Sequence, residues 1–422
     1  MTRNKNSYTT GIFIIGILFF IFGFVTWLNA TLIPYLKISC ELTKSQSYWV
    51  TFAFYIAYFF MSLPSAWILR VTGYKNGMML GLFIMAIGAL LFIPAASTRT
   101  YELFLLGLFV MGTGLSILQT ASNPYVIELG APESAAKRVS IMGICNKFAG
   151  AISPLILGSV VLKDVDSLTE RLTGMDAMTR AVELDILSSK AIVPYIIIMG
   201  ALVLLGLFVR FSPLPQIDSL EEADVKKDDA YRSIFSYPHL WIGALTLFLY
   251  VGMEVIAVDT LINYANSLGI SMDKAKVFPT YSMIMLIVGY IIGIICIPRV
   301  ISQSRALEIC AVLGVVAAGG LLLVPAGLSV WAVVLFSLAN SLMWPAIFPL
   351  AIFKLGRHTK TGSAILIMAI AGGAILPLLY GYLADLPSIG GQLAYSVIGL
   401  PCYLFILYFA VAGHKVGLGK IS

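Results

Sequence analysis

Residues 154–158 read PLILG and residues 377–381 read PLLYG, in a chain of 422 residues. A second pair of prolines precedes these motifs: Pro124 lies in SNPYVIELG and Pro345 lies in MWPAIFPLA. The paired prolines are 223 and 221 residues apart. Two motif pairs at nearly the same offset predict two similar halves, related as a parallel repeat.

The composition predicts that these halves lie in a membrane. The chain is 59% hydrophobic and 11% charged, with a mean hydropathy of +0.94, whereas a soluble domain carries about 25% charged residues. A helix needs about 20 apolar residues to cross a bilayer, and helices satisfy their own backbone groups in lipid. The pattern therefore predicts an all-α fold with twelve spans, at about 11–36, 48–70, 77–96, 101–129, 139–162, 191–212, 238–266, 275–298, 306–326, 330–354, 361–384 and 392–413.

The basic residues predict the orientation. With both termini cytoplasmic, the inner segments hold seventeen Lys and Arg and the outer segments nine, while Lys147 lies within a span. This bias follows the positive-inside rule. The first apolar run exceeds the core of a signal peptide and is expected to be retained. The external segment 163–190 is expected to hold a short amphipathic helix. The charged cytoplasmic segment 213–237 is predicted to link two six-helix bundles, 1–212 and 238–422.

Several function classes are excluded by what the sequence lacks. The net charge of +6 comes from short loops between spans, which indicates topology rather than nucleic-acid binding. The five cysteines match neither a disulfide framework nor a metal site. There is no phosphate-binding loop and no Ser–His–Asp arrangement. We therefore expect neither an enzyme nor a resident cofactor.

Polar side chains inside spans four and five are the first candidate ligands. Gln119 and Asn123 are four residues apart and share one helix face. Amides that donate and accept suit a polyhydroxylated ligand, although hydrogen bonding between helices is the alternative. Asn146 and Lys147 follow in span five. A lysine at this depth requires a partner or an aqueous cavity, so Lys147 is predicted to contact either the ligand or an acid of the other half.

Span seven carries two carboxylates, Glu254 and Asp259, and the amide of Asn263. An acid at mid-bilayer costs roughly 2.5–3.5 kcal/mol on insertion scales. One interpretation is cation coupling, in which the acids bind Na⁺ or a proton; the other is an ion pair with Lys147, which could also act as a gate. Because five residues separate the two acids, they face one point only if the helix unwinds locally, for which Gly252 is the candidate.

Further candidates line the predicted midplane. A tryptophan is usually an interfacial anchor, but Trp27 and Trp344 lie deeper and could stack on a sugar ring. Core packing is the alternative for both. Asn29, Tyr281 and Asn340 complete the predicted polar lining.

The stretches FFIFGFVTWLNATLIPYLK (19–37), SILQTASNPYVIELG (116–130) and KTGSAILIMAIAGGA (360–374) resemble the fucose–galactose–glucose:proton symporters of the major facilitator superfamily. The similarity covers nearly all spans and is greatest with the bacterial glucose/galactose transporters. It implies a monomeric importer of a hexose in the bacterial inner membrane, with the lipid bilayer, the sugar and a cation as its partners.

One departure from the family pattern shifts the coupling role. The resemblance implies acids in spans one and four, but this chain has Ala30 and Gln119 there. We therefore assign coupling to Glu254 and Asp259, with Na⁺ slightly favoured over H⁺. The predicted function is symport of a glucose-, galactose- or mannose-type hexose by alternating access. The alternatives are a proton-coupled drug or small-solute transporter of the same superfamily, and a sugar sensor without transport.

Overall fold

The structure is a computed structural model and describes residues 5–129, 135–214, 233–297 and 300–418. Every regular element in these ranges is helical, so the all-α, twelve-span prediction is confirmed. Most of the predicted linker 213–237 lies outside the described residues. Spans 1 to 6 comprise Lys5–Trp27 with Asn29–Ser39, Trp49–Thr98 (spans 2 and 3), Tyr101–Glu128, Ala135–Val161 and Ile192–Phe211. Spans 7 to 12 comprise Pro238–Asp259 with Leu261–Ser267, Phe278–Cys296, Gln303–Gly320, Ala326–Asn340 with Met343–Ala351, Thr359–Met368 with Gly372–Asp385, and Gly390–Val411.

Spans 2 and 3 form one continuous stretch of helical residues, Trp49–Thr98. At 1.5 Å per residue its 50 residues would extend about 75 Å if straight, far more than a bilayer is thick. The chain turns at Gly73, whose φ of 72° and ψ of 169° lie outside the helical region and suit only glycine. Leu69 and Gly77, eight residues apart, consequently meet. The stretch therefore crosses the membrane twice.

Span 9 is more polar than a typical membrane-spanning helix, and length and hydropathy alone do not reveal it. Ten helical stretches among the described residues are long and apolar enough to cross a membrane, with spans 2 and 3 counted as one. Span 9, Gln303–Gly320, is not among them. Its first turn, Gln303–Arg305, is polar and lowers its mean hydropathy.

The first span of each half is interrupted at the same depth. Span 1 begins with a helix of 23 residues that ends at Trp27, and span 7 begins with a helix of 22 residues that ends at Asp259. In span 7 the Thr260 hydroxyl donates to the Ile256 carbonyl (2.7 Å). A hydroxyl that bonds a carbonyl one turn earlier competes with the backbone N–H for that carbonyl, and such a bond often bends a helix. Span 7 continues unbroken through Gly252, which packs against Leu376. The predicted unwinding at Gly252 is wrong: close packing, not flexibility, explains this glycine.

Because twelve spans return the chain to the side on which it started, span 1 begins and span 12 ends at one face, which we call the terminal face. The opposite, distal face carries two helices, Val165–Leu172 and Ala177–Ser189, where the sequence predicted one. Asp176 caps the second helix by accepting hydrogen bonds from Thr179 and Met178. The hydrogen bonds from Thr179 hold the pKa of this carboxyl below its usual value.

The two halves meet at the distal face through polar contacts that we call the distal gate. The Asp166 carboxylate of the first half accepts from the backbone N–H groups of Met272 (3.0 Å) and Asp273 (3.4 Å). Asp385 of the second half accepts from the backbone N–H (3.0 Å) and the hydroxyl of Ser45. Below them the ring of Tyr48 packs edge-on against Tyr380, with centroids 5.8 Å apart. The gate closes the distal end of the boundary between the halves.

Candidate functional site

A cavity lies on the boundary between the two halves, on the side of the distal gate that faces the terminal face. It encloses about 960 Å³, which includes the open space at its mouth. Spans 1, 2, 4 and 5 line one side, and spans 7, 8, 10 and 11 line the other. The lining reaches from mid-membrane to Val139 and Ser140, near the terminal end of span 5. The cavity therefore extends toward the terminal face.

An ion pair crosses this cavity between the halves. Lys147 Nζ of span 5 lies 2.6 Å from Glu254 Oε1 of span 7, and both residues are 7% exposed. The Tyr250 hydroxyl donates to the other oxygen, Glu254 Oε2 (3.0 Å). The Glu254 carboxylate thus has a partner at each oxygen, as a buried charge requires. The predicted pairing of Lys147 with an acid of the other half is present, and the acid is Glu254.

Trp27 supports the same lysine from the first half. Lys147 Nζ lies 4.6 Å from the centre of the Trp27 ring, within the range of a cation–π contact. Gly150 makes this position possible, because a Cβ there would lie 2.5 Å from Trp27 Cδ1. The ring faces the cavity, and its Nε1 has no hydrogen-bond partner among the described residues. Trp27 is only 3% exposed and packs with Met283 and Leu286, so its main role in this structure is to support Lys147 by core packing.

Three predicted amides also line the cavity: Gln119, Asn123 and Asn146. Gln119 Nε2 donates to the Tyr58 hydroxyl (3.0 Å), and Asn146 Nδ2 donates to the Phe19 carbonyl (3.5 Å). Each of these two side chains uses its nitrogen in the protein, and its carbonyl oxygen accepts no hydrogen bond from the residues that the structure describes. Trp344 lies on the side of the second half and stacks on Phe348, with centroids 5.8 Å apart. Six of the predicted substrate-binding residues thus line one cavity, together with the predicted coupling residue Glu254. The six are Trp27, Gln119, Asn123, Asn146, Lys147 and Trp344.

The other three predicted sugar ligands lie outside the cavity. Tyr281 is 38% exposed and packs against Phe278 and Trp331. Asn340 is fully buried and accepts a hydrogen bond from the Tyr403 hydroxyl (3.1 Å). Asn29 is buried at the start of the second helix of span 1, and its amide has no partner in the described part of the chain. Asn29 and Asn340 lie at the predicted depth but on other helix faces, whereas Tyr281 lies in the first turn of span 8, near the distal face and away from the predicted midplane.

Asp259 and Asn263 form a second polar group apart from the cavity. Asp259 is completely buried, and Asn263 is 7% exposed. Within the described ranges, neither carboxylate oxygen of Asp259 and neither polar atom of the Asn263 amide has a hydrogen-bond partner. Neither residue lines the cavity. The two acids of span 7 consequently have different environments.

Sequence reasoning missed the tyrosines. Tyr55, Tyr58, Tyr250 and Tyr290 all line the cavity, and two of them hold Gln119 and Glu254 in place. One signal was available for Tyr250, which lies four residues before Glu254 and hence on the same helix face. Tyr55, Tyr58 and Tyr290 have no such local signal, because the faces of spans 2 and 8 that line the cavity depend on how the helices pack together.

This arrangement is suited to binding a neutral polar molecule. The cavity combines aromatic faces with amides, hydroxyls and one internally neutralised ion pair. No group of three or more His, Cys, Asp or Glu that could hold a metal ion occurs in the residues that the structure describes. A central cavity shared by two six-helix halves defines the class of membrane transporter built on a parallel repeat.

Comparison with known proteins identifies the family. Residues 15–377 match the model of the Major Facilitator Superfamily, and the chain belongs to this superfamily. It is 36% identical over 417 residues to the glucose/galactose transporter of Brucella abortus (strain 9-941), covering 98% of this chain and 96% of that protein. It is 30% identical over 418 residues to the L-fucose-proton symporter of Escherichia coli K12, covering 96% of this chain and 93% of that protein.

A solved structure agrees with the fold. The crystal structure of FucP, a Major Facilitator Superfamily transporter in the outward conformation, superimposes with a TM-score of 0.73 at 28% sequence identity. The match covers 96% of this chain and 98% of that chain. The D-xylose-proton symporter, at 13% identity and a TM-score of 0.67, shares the fold.

Proposed function

We propose that the protein is a secondary active symporter that imports a hexose of the glucose, galactose or mannose type together with Na⁺ or H⁺. The observation that carries the proposal is the cavity between the halves, lined by amides and aromatic rings. The names of the relatives, a glucose/galactose transporter and an L-fucose-proton symporter, support the same substrate class.

The cavity provides what a sugar requires. Gln119 and Asn146 each donate from the amide nitrogen within the protein, and among the described residues their amide oxygens remain available to accept from sugar hydroxyls. The ring of Trp344, on the side of the second half, is partly exposed to the cavity and can stack on the apolar C–H face of a sugar ring. The Lys147–Glu254 pair supplies a donor and acceptors in the same space. A ligand that touches both halves can bias their relative orientation, because it binds one arrangement better than another.

Transport would proceed by rocking of the halves about the cavity. In the present structure the distal gate is closed and the cavity extends toward the terminal face. If the termini are cytoplasmic, as the basic residues indicate, this is the inward-facing arrangement. Separation of Asp166 from Met272, and of Ser45 from Asp385, would open the distal side.

We place the protein in the bacterial inner membrane as a monomer with both termini cytoplasmic, and we assign it no enzymatic reaction. The membrane placement rests on the superfamily match and the apolar spans. The orientation rests on the lysine and arginine bias.

The direct test is sugar counterflow in proteoliposomes that contain the purified protein. Vesicles preloaded with unlabelled D-glucose, D-galactose or D-mannose are diluted into a trace of the same labelled sugar. Transient accumulation above the level in protein-free liposomes is expected for at least one hexose. Repeating uptake under imposed Na⁺ and pH gradients then tests coupling. If no hexose shows counterflow, the proposed substrate is wrong; if uptake ignores both gradients, symport is wrong.

A further inference from the structure

Asp259 is a buried acid that lies outside the sugar cavity, so the contacts of the cavity do not compensate its charge. Its carboxyl group is fully buried within a membrane span, and neither oxygen has a hydrogen-bond partner in the described residues. An uncompensated buried charge is strongly destabilising, and a carboxylate within the bilayer marks an ion or proton pathway unless it is paired. Asp259 therefore requires a bound cation or a bound proton.

The surroundings of Asp259 offer acceptor oxygens. Asn263 lies one turn further along span 7, and its amide oxygen is equally unpartnered. Asp259 and Asn263 thus carry three buried oxygens, the two of the carboxylate and the one of the amide, that have no hydrogen-bond partner in the described residues. Carboxylate and amide oxygens without hydrogen-bond donors are the ligand types that a small, hard cation takes.

The charge of the site favours a monovalent ion. One carboxylate neutralises one positive charge, whereas divalent cations in proteins usually take several carboxylates or keep water ligands. The second acid of the span cannot contribute, because Lys147 and Tyr250 already hold the two oxygens of Glu254. At 1.5 Å per residue, Glu254 also lies about 7.5 Å from Asp259 along the helix axis.

We propose that Asp259 and Asn263 form a Na⁺ site separate from the sugar cavity, and that Glu254 does not bind the ion. This inference rests on the proposed symport function and names its coupling cation. The oxygens come from the end of one helix, Pro238–Asp259, and from the next, Leu261–Ser267. The interruption of span 7 at Thr260 therefore lies inside the site.

The site also adjoins the distal gate. Thr260, which lies between Asp259 and Asn263, shares a hydrogen bond with the Tyr395 hydroxyl (2.6 Å). The Tyr395 ring packs on Tyr380, and Tyr380 contacts Tyr48 of the first half in the gate. Closing the gate thus packs a residue of the first half onto tyrosines of the second half that contact the span 7 interruption at the ion site. A Na⁺ ion that neutralises Asp259 removes the cost of burying this carboxylate when the gate closes. Ion binding would in this way favour the arrangement seen here.

The test measures binding of radioactive Na⁺ to the purified protein by scintillation proximity, in the absence of sugar and against a choline background. Asp259→Asn keeps the shape but removes the charge, and should weaken Na⁺ binding at least about tenfold. Asn263→Ala should weaken it less. Asn266→Ala is the matched control on the same short helix, because the Asn266 amide donates to the Ile270 carbonyl and takes no part in the site.

A double variant separates the two acids. Lys147→Met combined with Glu254→Met removes the ion pair without leaving a lone charge, and Na⁺ binding should stay within about twofold of the wild-type value. Loss of Na⁺ binding in this double variant with retention in Asp259→Asn would overturn the assignment. Absence of saturable Na⁺ binding to the wild-type protein would also overturn it, and pH-driven uptake would then identify H⁺ as the coupling ion.

Failure of this inference is distinguishable from failure of the proposed function. Counterflow needs no ion gradient, so hexose exchange without Na⁺ binding would contradict only the Na⁺ site. Saturable Na⁺ binding that Asp259→Asn abolishes, without exchange of any hexose, would contradict only the substrate.

Discussion

Lys147 Nζ lies 2.6 Å from Glu254 Oε1 across the boundary between the two halves of the transporter. Both residues line the central cavity, and both are buried. The pair therefore both connects the halves and occupies groups that a sugar could use. Asp259, five residues beyond Glu254, has no comparable partner in the described ranges.

The first prediction concerns this ion pair. Lys147→Met or Glu254→Gln leaves one buried charge uncompensated, and removing one member of such a pair costs about 3–5 kcal/mol. Each single variant should therefore unfold at a clearly lower temperature than the wild-type protein. The Lys147→Met/Glu254→Met double variant should recover most of the lost thermal stability, because both charges are absent, but should not recover hexose counterflow.

Thermal unfolding in detergent, followed by intrinsic fluorescence, measures the first effect, and counterflow measures the second. If the double variant were no more stable than the less stable single variant, the pair would not be the source of the effect. Recovery of transport in the double variant would show that the charges serve packing alone.

The second prediction compares two residues that sequence reasoning treated alike. Gln119 lines the cavity, whereas Tyr281 packs on the outer side against Trp331. Gln119→Ala should weaken hexose binding about five- to tenfold, because one hydrogen bond contributes about 1 kcal/mol. Tyr281→Ala should change it less than about twofold. Half-saturation of counterflow measures both, and equal effects of the two variants would contradict the cavity as the binding site.

The third prediction concerns the position of Trp27. A Cβ at Gly150 would collide with Trp27 Cδ1 at 2.5 Å and with Met283 Sδ at 3.0 Å. Gly150→Ala should therefore displace the indole, shift the tryptophan emission and weaken hexose binding about tenfold. Gly200→Ala is the control, since no atom lies within 4 Å of the Cβ position there. Unchanged emission and affinity in Gly150→Ala would show that Trp27 does not need its present position.

The depth of most site residues could be predicted from the sequence, but their direction could not. Periodicity and apolar length located the spans, because each helix must satisfy its own backbone in lipid. They also placed Gln119, Asn146 and Lys147 at mid-membrane, where the cavity lies. Asn340 lies equally deep, yet it bonds Tyr403 inside the second half. Which face of a span looks into the cavity depends on how twelve helices pack, and no local pattern encodes that.

The separate roles of Glu254 and Asp259 show the same limit. The spacing on the helix indicated that the two acids face different directions. It did not indicate which of them meets Lys147, because that contact joins residues 107 positions apart. The interruption of span 7 at Thr260 depends on a local hydroxyl-to-carbonyl bond, whereas the sequence argument placed the irregularity at Gly252.

The last prediction concerns the distal gate. Asp166 and Asp385 hold the distal ends of the halves together by accepting hydrogen bonds from Met272, Asp273 and Ser45. Hydrogen bonds to a charged acceptor contribute about 1.5–3 kcal/mol when shielded, and less at an exposed position such as Asp385. Asp385→Ala and Asp166→Ala should each shift the equilibrium toward a distally open arrangement about fivefold. The double variant should shift it further.

The shift can be measured as a distance between spin labels on the distal surface. Glu170→Cys in the first half and Ser388→Cys in the second are both exposed and report the separation of the halves in an otherwise cysteine-free protein. Asp185→Ala is the matched control, because Asp185 pairs with Arg99 (3.4 Å) and both residues belong to the first half. A longer-distance population should grow in the gate variants and not in the control. Equal distance distributions in all variants would mean that these carboxylates do not hold the halves together, and the closure of the distal face would then rest on apolar packing around Tyr48.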